Sequence, residues 1–246
     1  MADVYRIDLR TPRSVREIVS SALSLYRRYP LLFAVLALAV IAPYDLAFLG
    51  ITGYGPFTRL AHRGQGVFWL NGFIRVFLVT ALISALHIHA VIAVGDGRRP
   101  RPRTVAWAGI RVLPVVGTAD VLTNIGILLG FIILIVPGVL LLLRWAVVAQ
   151  AAALEREGPL AAIRSSRQLT AGFYWHILWL LLIVAVLDVA VNQGARELPL
   201  GSSTGAASVS VAIALQTIFA SFSALTLALL YFDLQARPQL PQSKRQ

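Results

Sequence analysis

A chain of 246 residues that is 58% hydrophobic and 13% charged departs strongly from soluble averages, and its apolar residues gather in runs that leave no room for a soluble catalytic domain. It contains no cysteine, which excludes disulfides, thiolate nucleophiles and cysteine-ligated metals. The net charge of +11 sits just outside the apolar runs, where anionic lipid headgroups rather than nucleic acid are the natural counterpart.

Residues 14–29 carry the sharpest local pattern. Ser14-Val-Arg-Glu17 is a capping box, in which the serine side chain accepts a backbone N–H and Glu17 reciprocates. At about 100° per residue, Val15, Ile18, Val19, Ala22, Leu23, Leu25, Tyr26 and Tyr29 fall in one arc. Arg16, Glu17, Ser20, Ser21, Ser24, Arg27 and Arg28 fill the opposite one. The pattern predicts an amphipathic helix lying on the inner membrane surface, stopped by Pro30, with Arg16, Arg27 and Arg28 towards headgroups.

Residues 31–49 read as a retained first span, since the apolar run is too long for a signal peptide. A second span covers 67–94 with Trp69 as interfacial anchor, followed by a loop over 95–103 broken by glycine and proline. The run from Val112 to Ala153 has 42 mostly apolar residues, whereas about 20 suffice to cross a hydrocarbon core of about 30 Å. It therefore folds back on itself, and Pro137-Gly138 marks the interruption, giving spans at 107–131 and 139–153. Residues 158–172 form a basic juxtamembrane helix: Pro159 suits its first position, and Arg164 and Arg167 lie one turn apart. That pair either contacts phosphate headgroups or simply marks the positive side. Spans at 174–192 and 207–232 follow, and residues 237–246 read as a disordered tail.

Six arginines precede Pro30, five lie in 98–111, three in 156–167, and three basic residues close the chain. The opposite connections hold only Arg59, Arg63 and Arg196. The positive-inside rule then places both termini in the cytoplasm. An internal echo supports pairing the spans: Trp107, Asp120, Asn124 and Gly126 recur at the same spacing as Trp175, Asp188, Asn192 and Gly194. The expected architecture is a single all-α integral membrane domain over 1–246 in a bacterial cell membrane. It has six transmembrane helices in three hairpins, plus amphipathic surface helices.

Few residues invite chemistry. His87 and His89, two apart on a helix, point about 200° apart and cannot share a metal, so they read as polar lining. Gly126 and Gly130 permit close helix contact. Asp45, Asp120 and Asp188 each come to rest about 20 Å into the bilayer, and Arg144 reaches nearly the same level from the other side. Charges in mid-span are costly, so these groups are expected to face one another, with Asn124 and Asn192 one turn beyond two of the acids. They form either a pair that fixes helix register or a polar site for a headgroup, ion or proton.

Pro137-Gly138, Arg144-Trp145, Glu155, Gly158-Pro159, Ala162, Ser166, Leu169-Thr170 and Gly172 resemble the signature of the glycerophosphoryl diester phosphodiesterase membrane-domain family. The ending from Leu230 to Arg237 is similar to that family's last span. In some members the domain precedes a phosphodiesterase barrel, which has no counterpart here. The resemblance thus implies a membrane fold and location, and no hydrolytic activity. The expectation is a non-catalytic membrane protein without cofactor that organises lipid or a membrane protein partner at the inner leaflet. The competing reading is a small transporter or lipid-handling carrier using the intramembrane Asp/Arg site.

Overall fold

The computed structural model describes residues 8–54, 64–75, 79–98, 102–155, 157–196 and 205–237. Among the described residues the chain is all α, with helices α1 (Val15–Arg28), α2 (Pro30–Thr52), α3 (Gln65–Ile74), α4 (Thr80–Gly95) and α5 (Pro102–Ile133). They continue as α6 (Ile135–Arg144), α7 (Val148–Glu155), α8 (Pro159–Thr170), α9 (Tyr174–Arg196) and α10 (Ala206–Ala236). Five segments are long and apolar enough to cross a membrane: α2, α5, α6 with α7, α9 up to Val191, and α10. The expected span over 67–94 is represented by α3 and the shorter apolar α4, with residues 76–78 outside the described set.

Helix α1 begins where its capping box predicts. Glu17 accepts the Ser14 N–H at 2.7 Å, and Ser14 Oγ accepts the Glu17 N–H at 3.3 Å. Its polar arc is turned outward, with Arg16, Ser20, Arg27 and Arg28 exposed. The apolar arc departs from the expected bed of lipid. Ile18, Ala22 and Leu25 are fully buried, in one core with Leu230, Tyr231 and Leu234 of α10. An apolar arc demands a cover without specifying it, and the end of α10 offers apolar protein surface at the same level.

The centre of the bundle is α4, where Ile83 to Ile88, Ala90 and Val91 are all buried. A helix apolar on every side belongs inside, and its small residues let α2, α5, α7 and α10 pack around it.

The fold-back between α5 and α6 lies three residues earlier than Pro137. Leu134 takes the extended conformation that separates the helices, and Pro137 and Gly138 lie within the first turn of α6. Proline is tolerated at position 137 because an N–H there would have no helical acceptor. Gly138 is required by proximity: a Cβ on it would meet the Phe131 ring at 2.5 Å. A Cβ on Gly130 would come within 3.0 Å of the Gly138 Cα, and one on Gly126 within 2.5 Å of the Trp145 ring. Both small residues of α5 thus accept the returning limb.

That limb is broken as well. The expected helix over 139–153 is α6 and α7, separated by a turn at 145–147 in which the Val148 N–H bonds to the Trp145 carbonyl at 3.3 Å. At its start α5 takes up Pro102 to Ala106, expected in part as loop, since helix continues past the apolar stretch. Arg237, expected in a disordered tail, is fixed by Asp233, while residues 238–246 lie outside the described set.

Packing divides the bundle by height. Towards the end that carries α1, α8 and the close of α10, most helices share one core. Beyond it α2, α4 and α10 stay together through Ala37, Ile41, Ile83, Val209 and Ile213. The α5–α6 tip and the later part of α9 lie exposed.

Candidate functional site

The turn at 145–147 leaves the Arg144 carbonyl without a helical donor, and α8 supplies two. Ser166 Oγ donates to it at 3.1 Å and Thr170 Oγ1 at 3.2 Å. With Ala162 these residues are spaced four apart, so they line one stripe of α8, and all three are buried. Their small size lets the helix lie close against α7. Gly158 (φ 99°) and Gly172 (φ 89°) flank α8 with backbone that other residues seldom adopt, and Pro159 sets its first turn. Glu155 at the end of α7 completes the mounting, accepting from Ser165 Oγ at 2.6 Å and from the Tyr231 hydroxyl at 3.2 Å. Gln235 donates to the same Tyr231 oxygen at 2.7 Å. Arg144, Glu155, Ser165, Ser166, Thr170, Tyr231 and Gln235 therefore meet in one connected assembly. On its free side α8 presents Leu160, 68% exposed, with Arg164 and Arg167 exposed beside it.

A second node fixes the chain's entry. Asp233 is fully buried, and its carboxylate accepts the Arg13 N–H, Arg237 Nε at 2.9 Å and His176 Nε2 at 3.2 Å. Arg237 also donates to the Arg13 carbonyl at 2.6 Å and lies 5.0 Å over the Phe173 ring. The segment before α1, the start of α9 and the end of α10 are thereby held at one level. Trp175 is 75% exposed directly beside this node, and Trp107 is 59% exposed near the start of α5, where Arg111 lies over its ring.

Of the expected gathering of intramembrane charges, Asp45 and Arg144 take other partners than each other. Asp45 is buried, and its partner is Arg75 rather than Arg144. Arg75 also donates to Gln216 Oε1 at 2.7 Å and stands 5.3 Å over the Tyr44 ring, while the Tyr44 hydroxyl reaches Asn71 Oδ1 at 2.5 Å. The second carboxylate oxygen of Asp45 is buried with no hydrogen-bond partner among the described residues. Arg144 instead directs Nε to the Tyr174 hydroxyl at 3.4 Å, and among the described residues it enters no ion pair. Asn124 Nδ2 donates to the backbone carbonyl of Asp120 at 2.8 Å, not to its carboxylate. Asp188 lies in the sparsely packed part of α9, and the side chain of Asn192 is outside the described residues.

The reason for the difference is rotational. Rise per residue fixes the depth of a group, but only packing fixes which way it faces. Arg75 was missed in the sequence although, with Arg144, it is one of two arginines placed well inside apolar runs. Asp233 lies near the end of the last apolar run, and its place at the node is decided by packing. Each histidine bonds within its own helix, His87 Nδ1 to the Ile83 carbonyl at 2.8 Å and His89 Nδ1 to the Ala85 carbonyl at 2.7 Å, while His87 Nε2 is buried with no hydrogen-bond partner among the described residues. No protein-family model, curated protein or solved structure matches the chain.

Proposed function

We propose that the protein is a non-catalytic multi-pass protein of the cell membrane that organises anionic lipid at the inner leaflet, with both termini cytoplasmic. The observation that carries this reading is the mounting of α8: its small-residue stripe is bonded to the Arg144 carbonyl, and Leu160, Arg164 and Arg167 are turned away from the protein. A leucine beside two arginines one turn apart suits the boundary between acyl chains and phosphate. Arg16 and Arg27 on α1 add to the same end, and Trp107 and Trp175 are placed as interfacial anchors. The resemblance to the glycerophosphoryl diester phosphodiesterase membrane domains enters on the same residues and carries no enzymatic activity.

The test is retention of native lipid by the purified protein, measured by mass spectrometry after extraction. Arg164→Gln with Arg167→Gln leaves every bond of the α8 mounting in place, so the fold should persist while bound anionic lipid falls several-fold. Unchanged retention would reject the assignment. The orientation is tested by cysteines at Gly64 and Ser203, expected to react from outside, and at Ser20, Thr104 and Ser165, expected not to.

A second reading, a small carrier, is favoured by the Asp45–Arg75–Gln216 group, in which one carboxylate oxygen has no partner among the described residues. Under that reading Asp45→Asn abolishes function without unfolding the protein, whereas under the first it leaves lipid retention intact.

A further inference from the structure

Two of the connections at the end away from α8 are polar. Residues 53–64 include Thr58, Arg59, His62 and Arg63, and residues 194–205 include Arg196, Glu197, Ser202, Ser203 and Thr204. The connection between α5 and α6 is unlike either, because no polar side chain occurs from Ile125 to Leu143. At its tip Ile132, Ile133, Leu134, Ile135 and Val136 are each between 63% and 73% exposed. A turn in water normally draws on Gly, Asn, Asp, Ser or Pro at the reversal itself. Five consecutive exposed branched apolar residues there need another cover.

The length of the returning limb says where the tip ends. Glu155 is tied to α8 through Ser165 and so lies at the level of that surface helix. From there back to Ile135 the limb has 21 residues, which reach about 30 Å if straight, and the turn at 145–147 and any tilt shorten it. The hydrocarbon core is itself about 30 Å thick, so this limb does not carry Leu134 past the far headgroups. The backbone of the reversal is suited to a dry setting. The Leu134 N–H bonds to the Gly130 carbonyl at 3.0 Å, its carbonyl accepts the Gly138 N–H at 3.3 Å, and Pro137 brings no N–H at all.

We propose that α5 and α6 form a re-entrant hairpin whose tip ends among the acyl chains of the far leaflet and never enters water on that side. Acyl chains, rather than a partner protein, are the occupant because the exposed patch has no polar rim, which protein interfaces carry around their apolar centre. Because the hairpin enters and leaves at the same face, the placement of both termini is unaffected.

The absence of native cysteine makes the test direct. A nitroxide is attached to Leu134→Cys in the full chain reconstituted in vesicles, with Thr58→Cys and Ser203→Cys as controls. Its collisions with oxygen and with a water-soluble nickel chelate are then compared. The label at 134 should be open to oxygen and at least tenfold less open to the chelate than the controls. Chelate access equal to the controls would overturn the re-entrant hairpin, and a label closed to both would overturn lipid as the occupant. Ile133→Cys repeats the measurement should the first variant fail to fold.

Discussion

The hydroxyl of Ser166 donates to the carbonyl of Arg144 at 3.1 Å, across 22 residues of sequence, and so joins a surface helix to a break in a membrane limb. Thr170 shares the acceptor, so Ser166→Ala should cost only about 0.5–1.5 kcal/mol. Ser166→Leu forces bulk into a fully buried contact and should cost about 1–3 kcal/mol or more. Chemical unfolding in detergent checks both, and equal effects would show that the stripe is not closely packed.

Two glycines separate close contact from mere flexibility. Gly138→Ala places a methyl group 2.5 Å from the Phe131 ring and should destabilise by about 1–3 kcal/mol as the hairpin spreads. Gly117→Ala, on the same hairpin, meets nothing within 4 Å and should stabilise by about 0.5–1 kcal/mol through helix propensity. Melting temperatures that move in the same direction would contradict this packing.

Arg75 and Arg144 offer a contrast of their own. Arg75→Ala leaves the buried Asp45 without its cation and should cost about 3–5 kcal/mol, with much of that recovered by adding Asp45→Leu. Arg144→Ala removes a bond to a tyrosine hydroxyl and should cost less than half as much. A double-mutant cycle in detergent measures the coupling, and a larger effect at Arg144 would restore the pairing expected from depth alone.

Asp233 holds the entry to α1 through the Arg13 N–H, His176 and Arg237. Asp233→Ala should loosen α1, whose buried face depends on staying against α10. Hydrogen exchange over residues 15–28 should speed up at least tenfold, while α4 at the centre of the bundle should change little.

The cap of α1 should be sensitive to acid. The hydrogen bond from the Ser14 backbone, followed by that from its side chain, holds the exposed Glu17 carboxyl below its usual range. A carboxyl depressed in the folded state contributes stability above its unfolded pKa, of about 4.3, and loses it as pH falls through the folded value. Exchange of the first-turn amides of α1 should therefore rise on acidification below about pH 4, and Glu17→Gln should remove that dependence.

The sequence alone determined whatever depends on period and composition. Apolar runs of membrane length follow from the composition of the stretch, and α1 begins at its capping box because Ser14 and Glu17 are close in sequence. Gly126 and Gly130 were recognisable because small residues four apart always share a helix face. The tertiary structure decided what each face meets. An apolar arc demands cover without naming it, so only the fold shows α1 resting on α10 instead of on lipid. Depth likewise follows from counting, but Asp45 turns to Arg75 and Arg144 to Tyr174 because helix rotation is set by packing at every level of the bundle. The break at 145–147 carries no local punctuation, since Trp145-Ala-Val continues the apolar run without glycine or proline. That break persists because the Ser166 and Thr170 hydroxyls, more than twenty residues away, replace the one hydrogen bond that an unbroken helix would have made to the Arg144 carbonyl.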